Sequence, residues 1–356
     1  MAAKGEFVRA YLQAIGTAVP DHDIHDAFVA WARARLSERE ARVFDRMSAR
    51  SGIDHRWSVL PAVHGSPVAP DGFYAAEPLP GTAARMALYA EAAPVLALQA
   101  VDALAEQVSL DDITHLVVAS CTGFVAPGID QIIATRLGLA PSVERLLVGF
   151  MGCYAAITAL RSARHIVRSD PAARVLVVTV ELSTLHLQAV DRLEPLLAML
   201  QFGDGAAAAL VTADPGGFAI DAPFAATLPD SSTLIRWNIT DQGFAMHLSG
   251  EVPGRIAVAL ADGAFRATIT GDAPVDRWAV HAGGRSILDT VQQALDLPAD
   301  ALDAARDVLS TAGNMSSATL MFVLARLLDG PPVANGVALA FGPGLSAEGL
   351  RFRSAP

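Results

Sequence analysis

Cysteine and lysine are nearly absent from this chain of 356 residues. Its two cysteines exclude a disulfide framework and the zinc modules that are built on several cysteines, and they suit a reducing compartment. We therefore expect a cytoplasmic protein. Lys4 is the sole lysine, so covalent chemistry or phosphate binding by a lysine side chain has almost no candidate.

Long apolar runs and an excess of positive charge are also missing. The most apolar stretch near Cys153 covers residues 146–160, which is too short to span a bilayer comfortably and predicts a buried core element. The net charge of -11 argues against nonspecific binding to nucleic acid or anionic lipid. Charged side chains within the first ten residues do not fit a secretory signal. With 52% hydrophobic residues, the chain can bury a large core as one domain or two fused ones.

Short β-branched runs alternate with alanine-rich segments of helical spacing, which predicts a largely parallel α/β core. The alternation follows a charged, helical region at 21–60 and a loop rich in proline and glycine at 61–81. It resumes after residue 214, so we expect two similar halves, residues 1–214 and 215–356. The predicted strands are 115–120, 145–150, 174–181, 277–280 and 337–341, and the predicted helices are 82–107, 131–137, 154–167, 286–295 and 318–328.

Cys153 stands where an apolar strand ends at glycines and an alanine-rich helix begins. The positive end of a helix dipole favours thiolate, so this position predicts a lowered pKa of the thiol and a nucleophilic sulfur. Gly152 would let the backbone turn sharply enough to present that sulfur. The alternative is a free cysteine buried as a small hydrophobic side chain.

Two further polar side chains suit chemistry beside a thiolate. His281 follows an apolar strand and precedes Gly283 and Gly284, which let a ligand approach, so it is a candidate base. Asn314 lies in a small polar turn ahead of an apolar helix, where it either caps that helix or donates to an oxyanion. Cys153, His281 and Asn314 together form a Cys–His–Asn set that supports nucleophilic catalysis.

Five motifs carry a resemblance to a known family. They are the cysteine segment 149–156, Gln-Phe-Gly-Asp-Gly-Ala-Ala-Ala at 201–208, the histidine segment 278–289, Gly-Asn-Met-Ser-Ser at 313–317 and Phe-Gly-Pro-Gly at 341–344. In this order and spacing they resemble the chalcone-synthase-like type III polyketide synthases of the thiolase superfamily, and Cys121-Thr122-Gly123 is similar to the bacterial branch. The resemblance implies a thiolase-like five-layered αβαβα fold of two pseudo-repeated halves, a homodimer, and no metal or organic cofactor.

The resemblance also implies an acyltransferase that works on coenzyme A thioesters. Cys153 would match the nucleophile that holds an acyl starter, and His281 and Asn314 would match the pair that activates the sulfur and binds the thioester carbonyl. The same pair would stabilise the enolate that forms when malonyl-CoA loses carbon dioxide. Repeated extension and cyclisation would then give a pyrone or a phenolic ring of the resorcinol or naphthol type.

Other positions match the family's cavity and its entrance. Phe202 would match a gatekeeping phenylalanine, and Met246 stands where plant members have a second one. Asp54 stands where the entrance segment of the family has a further lysine. The remaining substrate-binding positions that the resemblance implies are Cys121 and His186 in the cavity, Gly342 and Pro343 in the C-terminal loop, and Arg46 and Arg50 at the entrance, for the phosphates of coenzyme A.

Three other interpretations stay open at this point. A condensing enzyme like ketoacyl-ACP synthase III would use the same three residue types, but with an asparagine near the histidine in place of Gly283 and Gly284. A cysteine hydrolase would release free acid from acyl-CoA without malonyl-CoA. A noncatalytic acyl-binding protein of the same fold would leave Cys153 unreactive towards alkylating reagents.

Overall fold

The computed structural model describes residues 8–60, 68–69 and 71–356, so the predictions that concern Lys4 and part of the 61–81 loop lie outside it. The described strands are β1 (Tyr11–Ala18), β2 (His22–Asp23), β3 (Trp57–Ser58), β4 (His115–Ser120), β5 (Glu144–Gly149), β6 (Val175–Leu182), β7 (Asp204–Thr212), β8 (Phe218–Thr227), β9 (Ile235–Thr240), β10 (Gly243–Leu248), β11 (Arg277–Val280), β12 (Gly336–Gly342) and β13 (Ser346–Ser354). The described α-helices are α1 (His25–Arg33), α2 (Glu38–Ser48), α3 (Thr82–Ala105), α4 (Ile129–Arg136), α5 (Ala155–Ser169), α6 (Leu193–Met199), α7 (Val252–Ala261), α8 (Gly263–Thr270), α9 (Arg285–Ala294), α10 (Asp303–Ala312) and α11 (Ser317–Leu328).

The elements predicted from periodicity are present within about two residues of their expected bounds. The predicted strands at 115–120 and 277–280 coincide with β4 and β11. The charged region after residue 20 forms α1 and α2, and α2 begins with a capping box in which Ser37 and Glu40 satisfy each other's backbone N–H groups. Local pattern and capping chemistry therefore predict where these elements begin and end.

Nine strands form one mixed sheet in the order β11-β12-β13-β8-β1-β7-β6-β4-β5. Among the described strands of this sheet, β4 runs parallel to β5 and β6, and β11 runs parallel to β12, while the other neighbours are antiparallel. The prediction of a largely parallel sheet is therefore wrong. Strands β12 and β13 are joined through the 3₁₀ turn Pro343–Leu345, which is too short for the crossover that a parallel pair needs.

The layers of the fold follow from which helices touch which strands. Helix α5 contacts β4, β6 and β7 of one part of the sheet and β12 and β13 of the other, and α11 likewise contacts both parts. The two helices therefore form a central layer. Helix α3 covers β1, β6 and β7, whereas α8 and α10 contact β13 and β11. The predicted five-layered αβαβα arrangement is confirmed, while the boundary at residue 214 stays a prediction.

Two apolar segments differ from the sequence-based expectation. Helix α3 is the one described helix that is long and apolar enough to cross a membrane, by length and composition only. It packs on the sheet as a core helix does. The stretch 146–160 is not one buried element, because Leu146 and Leu147 are each 43% exposed. They lie on β5, which is the last strand of the sheet.

Candidate active site

The turn that carries Cys153 is shaped by two residues with positive φ. After β5, Phe150 has φ 57° and Gly152 has φ 72°, and residues Gly152–Tyr154 form a 3₁₀ turn before α5 begins. A Cβ on Gly152 would lie 2.5 Å from Cδ of Pro343, so only glycine fits. The cysteine thus stands one turn ahead of α5, half-buried, with its sulfur facing a cavity.

His281 follows β11 and is almost completely buried. Its backbone N–H donates to the Leu339 carbonyl at 2.8 Å, which continues the pairing of β11 with β12. Both ring nitrogens are buried and have no hydrogen-bond partner among the described residues. Burial lowers the pKa of His281 to about 3, so the imidazole is neutral at physiological pH. One ring N–H and one lone pair are therefore free for a substrate.

Asn314 is positioned by the backbone on both sides of it. Its N–H donates to the Gln201 carbonyl at 2.8 Å, and its carbonyl accepts from the N–H of Gly203 at 3.1 Å. In the side chain, Oδ1 accepts from the N–H of Ser316 at 2.8 Å and Nδ2 donates to the Gly283 carbonyl at 3.3 Å. Ser316 is the N-cap of α11, so the interpretation of Asn314 as a helix cap is wrong.

Cys153, His281 and Asn314 line one cavity of about 580 Å³. Its walls are largely apolar and come from α6, the start of α7 and α9. Four exposed residues on its lining mark the mouth, and they are Met47, Glu194, Gly250 and Ser286. The predicted Cys–His–Asn set is therefore brought together at the bottom of a cavity that opens to solvent.

The Cys153 thiol is not ionised by its position alone. Its pKa is raised to about 12, mainly by burial, with a smaller rise from the charge of Glu181, while hydrogen bonds from Ser316 and Asn314 oppose the rise. The expectation that the start of the helix lowers this pKa is therefore wrong for the thiol beside a neutral His281. A thiolate here needs a proton acceptor, and His281, on the lining of the same cavity, has ring nitrogens without a hydrogen-bond partner among the described residues.

A buried polar network around Glu181, which was not predicted from the sequence, lies near the sulfur of Cys153. Glu181 is fully buried on β6, where Oε2 accepts from the N–H of Cys121 at 2.9 Å and from Thr122 Oγ1 at 3.0 Å, and Oε1 accepts from Ser317 Oγ. Burial raises the pKa of Glu181. The signal was present, since a lone carboxylate inside the apolar strand Val175–Leu182 requires such partners.

Cys121 joins this network to the active site. Its thiol donates to Glu181 Oε2 at 3.4 Å and lies 3.3 Å from Ser316 Oγ, and the same Ser316 hydroxyl hydrogen bonds to Cys153. Cys121, Cys153 and Pro343 line a smaller cavity beside the main one. Burial is the main cause that raises the pKa of Cys121 well above its usual value. Cys121 is therefore a protonated neighbour of Cys153.

The side chains of Phe202 and Met246 each line more than one cavity. Both line the main cavity, the smaller cavity beside Cys153, and a further apolar pocket of about 50 Å³. Gly342 also lines the main cavity, and a Cβ there would lie 2.6 Å from the ring of Tyr154. The three spaces thus share the side chains of Phe202 and Met246 as walls, and the methionine is flexible.

His186 lies in the further apolar pocket and does not line the main cavity. Its Nε2–H donates to the Thr122 carbonyl at 2.7 Å, and its Nδ1 accepts from the N–H of Phe244 at 3.0 Å. Burial lowers the pKa of His186 to about 3, and its ring stacks on Phe244 with centroids 4.2 Å apart. Both ring nitrogens are therefore already occupied by the fold.

The predicted entrance arginines are on the surface. Arg46 lies in α2 next to Met47, which lines the mouth, and Arg50 follows two residues after the end of that helix. Neither lines the cavity itself. Asp54 accepts a hydrogen bond from Ser310 Oγ at 2.6 Å. Over residues 8–60, 68–69 and 71–356, no three His, Cys, Asp or Glu side chains group as metal ligands. The absence of a metal or cofactor stays a prediction.

The fold and the cavity lined by Cys153, His281 and Asn314 place the chain in the thiolase-like class of α/β proteins. Within that class, the chain belongs to the chalcone and stilbene synthase family. The N-terminal domain model of that family matches residues 1–215 and the C-terminal domain model matches residues 220–356. The resemblance inferred from five motifs is thus confirmed over both halves of the chain.

Individual relatives agree with this assignment. The alpha-pyrone synthesis polyketide synthase-like Pks18 of Mycobacterium tuberculosis is 34% identical over 255 residues, which are 68% of this chain and 65% of the relative, slightly less than two thirds of its length. PKS-I from the brown alga Ectocarpus siliculosus is 30% identical, with a TM-score of 0.88 over 99% of this chain and 100% of that one. The C-terminal type III polyketide synthase domain of Steely1 from Dictyostelium is 25% identical, with a TM-score of 0.88 over 98% and 100%.

Proposed function

We propose that this protein is a type III polyketide synthase, an acyltransferase that extends an acyl-CoA starter with malonyl-CoA units. The observation that carries this proposal is the cavity in which Cys153, His281 and Asn314 meet. Family membership and the names of the relatives support it. The substrates, the residue roles and the steps below are part of the proposal.

Loading begins when Cys153 Sγ attacks the thioester carbonyl of the starter. The thiol proton passes to a ring nitrogen of His281 as the sulfur attacks, and the thiolate and the imidazolium stabilise each other's charge. The carbonyl oxygen becomes negative and is stabilised by Asn314 Nδ2–H. Collapse of this intermediate expels the thiolate of coenzyme A, which takes the proton back from His281. The acyl group is then bound to Cys153.

In the extension step, His281 and Asn314 donate hydrogen bonds to an enolate. When malonyl-CoA loses carbon dioxide, the electron pair of the broken C–C bond forms an enolate on the thioester. The N–H of His281 and Nδ2–H of Asn314 can stabilise its oxygen in a cavity that is largely apolar. The enolate carbon then attacks the acyl carbonyl and Cys153 leaves as thiolate. Phe202 presents an apolar face beside this step and disfavours the charged carboxylate over its neutral product.

Product size depends on the space beyond the sulfur. Met246 and Phe202 separate the main cavity from the pocket that contains His186. A growing chain that displaces the flexible Met246 side chain would enter that pocket, so Met246 limits the number of extensions. The name of the Pks18 relative favours a pyrone as the product of cyclisation, and a phenolic ring is the other outcome.

We also propose a homodimer in the cytoplasm, with coenzyme A held at the cavity mouth by Arg46 and Arg50 and with no metal or organic cofactor. The support for the dimer lies on edge strand β5, where Leu146 and Leu147 are exposed, and on Phe124 in the loop after β4, which is 45% exposed. An edge strand with exposed leucines favours pairing with a second copy of the chain.

One experiment tests the reaction. Purified protein is incubated with a series of short and long acyl-CoA starters and labelled malonyl-CoA, and the products are identified by mass. We expect labelled pyrones or phenols from the wild type and none from Cys153→Ala. Release of free acid without malonyl-CoA would indicate a hydrolase, and dependence on malonyl-ACP would indicate an enzyme like ketoacyl-ACP synthase III. No acyl transfer with any donor, together with an unreactive Cys153, would indicate a binding protein.

A further inference from the structure

Arg56 is a buried cation directly ahead of β3, and it takes no part in the proposed reaction steps. It is 1% exposed, and burial lowers its pKa to about 9, so it stays charged at neutral pH. Its Nε donates to His25 Nδ1 at 3.2 Å, its Cζ lies 4.6 Å from the ring centroid of Phe28, and its Nη2 has no hydrogen-bond partner among the described residues. Because burying a cation costs free energy, the reason for keeping it must lie in the groups that it binds.

The guanidinium of Arg56 holds the short segment at the end of α6. Its Nη1 donates to the Met199 carbonyl at 3.1 Å and to the Phe202 carbonyl at 2.9 Å, although 143 and 146 positions separate these residues from Arg56. One nitrogen therefore binds both ends of the segment 199–202. Hydrogen bonds from a cation are stronger than those between neutral groups, so this segment is held firmly where Phe202 enters the cavity wall.

The same segment supplies the backbone partners of Asn314. The Gln201 carbonyl accepts from the N–H of Asn314 at 2.8 Å, and the N–H of Gly203 donates to the Asn314 carbonyl at 3.1 Å, so the two segments pair as in a parallel sheet. The stem of Arg56 packs against the other side of this pairing. A Cβ on Gly313 would lie 2.9 Å from Cγ of Arg56 and 2.9 Å from the Gln201 carbonyl oxygen. Arg56 therefore contacts both of the paired segments.

We infer that Arg56 is a positioning residue that sets the place of the Asn314 carboxamide in the cavity without touching the substrate. This inference rests on the proposed function, because it takes Asn314 as a donor to the enolate of malonyl-CoA. Such a donor works only within hydrogen-bond distance of the developing negative charge, so a small shift of the backbone at Asn314 removes its effect. Cys153 and His281 are held by other elements, the turn ahead of α5 and the pairing of β11 with β12. Loss of Arg56 should therefore impair the enolate step more than activation of the thiol.

The first test measures the release of labelled carbon dioxide from malonyl-CoA, which reports formation of the enolate. For Arg56→Gln we expect kcat to fall about 100-fold and KM to stay nearly unchanged, because the Asn314 donor is displaced. Arg56→Lys should recover part of the loss, since an ammonium can still donate to the two carbonyls but cannot also replace the contact with His25. Alkylation of Cys153 by iodoacetamide at pH 7.5 should stay within about threefold of the wild-type rate in both variants.

Arg85→Gln is the matched control. Arg85 is also buried, its Nη1 donates to the carbonyls of Leu185 and Leu187 at 2.9 and 2.8 Å, and its Nη2 likewise has no partner among the described residues. It does not line the main cavity or the two smaller spaces beside it. We expect Arg85→Gln to lower the melting temperature as Arg56→Gln does, but to keep the decarboxylation rate. Equal losses of decarboxylation in the two variants would overturn the inference, and so would equal losses of decarboxylation and alkylation in Arg56→Gln.

Hydrogen exchange followed by mass spectrometry tests the inference without turnover. In Arg56→Lys the backbone amides of Gly203 and Asn314 should exchange about tenfold faster than in the wild type, whereas Arg85→Lys should leave them unchanged. Unchanged exchange in Arg56→Lys would overturn the inference. Failure of both Arg56 variants to fold would overturn it as well and assign Arg56 to stability alone. If the wild type released no carbon dioxide and formed no product, the proposed function would fail, while faster exchange in Arg56→Lys would still show that Arg56 positions Asn314.

Discussion

Gly152 and Pro343 are in such close contact that a Cβ on the glycine would lie 2.5 Å from Cδ of the proline. The contact joins the turn that presents Cys153 to the turn between β12 and β13, and so ties the two halves of the fold together at the nucleophile. Gly152 also has φ 72°, where a side chain is strained. The position of the sulfur therefore depends on the absence of a single methyl group.

Gly152→Ala should displace Cys153 and nearly abolish condensation. We expect kcat/KM to fall by about 100-fold or more, since small displacements of a reacting group have effects of that size. Stability should fall by about 2–4 kcal/mol, from backbone strain and overpacking together. Gly138→Ala is the control, because Gly138 also has positive φ but its Cβ would meet nothing within 4 Å. Full activity in Gly152→Ala would contradict this role for the contact.

The reactivity of Cys153 at neutral pH should require His281. Beside a neutral His281, burial holds the pKa of the Cys153 thiol at about 12, so the thiolate fraction at pH 7.5 is very small unless the thiol proton passes to the imidazole. His281→Gln should slow alkylation of Cys153 by iodoacetamide about 100-fold or more. In this variant the rate should rise about tenfold per pH unit up to pH 10. The modified cysteine is identified by peptide mass, and equal rates in wild type and variant would exclude proton transfer to His281.

Asp204 should make the folded protein less stable as pH rises towards neutrality. It is fully buried, with Oδ1 accepting from the N–H of Thr184 at 2.8 Å and Oδ2 from the N–H of Val59 at 3.0 Å, and burial raises its pKa to about 7. The folded state thus keeps a proton that the unfolded chain releases near pH 4. Between about pH 4 and 7, this group's contribution to the unfolding free energy falls by up to about 1.4 kcal/mol per pH unit.

Asp204→Asn isolates that contribution, because the amide does not titrate. Urea unfolding of the wild type and the variant at pH 5 and pH 7 gives the difference between their unfolding free energies. We expect this difference, wild type minus variant, to be larger at pH 5 than at pH 7. A difference that stays constant or grows with pH would show that Asp204 is already ionised at pH 5.

Met246 should control product length. Met246→Ala joins the main cavity to the pocket behind it and should shift products towards longer chains, whereas Met246→Phe should shorten them. The length of the products is measured by mass for each starter in the same acyl-CoA series. His186→Ala should act differently, because it leaves the Thr122 carbonyl and the Phe244 N–H unpaired, at a cost of about 1–3 kcal/mol in stability. If Met246→Ala and Met246→Phe both gave the same products as the wild type, the Met246 side chain would not limit the length of the product.

Leu147→Glu should dissociate the proposed homodimer. A charge on edge strand β5 opposes both apolar packing and strand pairing with a second copy. Val258→Glu is the matched control, since Val258 is 72% exposed on α7 and away from that strand. Sedimentation velocity should give a monomer for Leu147→Glu and a dimer for the wild type and Val258→Glu. A monomeric wild type would contradict the proposed dimer.

Short-range patterns were sufficient for most elements and for choosing three residues that line one cavity. The strands and helices were predicted because the spacing of apolar residues and the capping residues involve only positions close together in the sequence. Cys153, His281 and Asn314 were found because each stands at a junction of a strand or helix with a glycine-containing turn. Strand direction was predicted wrongly, since it depends on which strands become neighbours in the sheet.

The amino-acid sequence by itself determined the family, the order of strands and helices along the chain and the three reactive residue types. Only the tertiary structure decided that Gly152 meets Pro343, that Glu181 lies near both cysteines, and that Arg56 binds the carbonyls of Met199 and Phe202. It also decided the state of the thiol, because burial outweighs the hydrogen bonds that lower its pKa. Burial and contacts between residues more than a hundred positions apart arise from packing of the whole chain, so no local pattern encodes them.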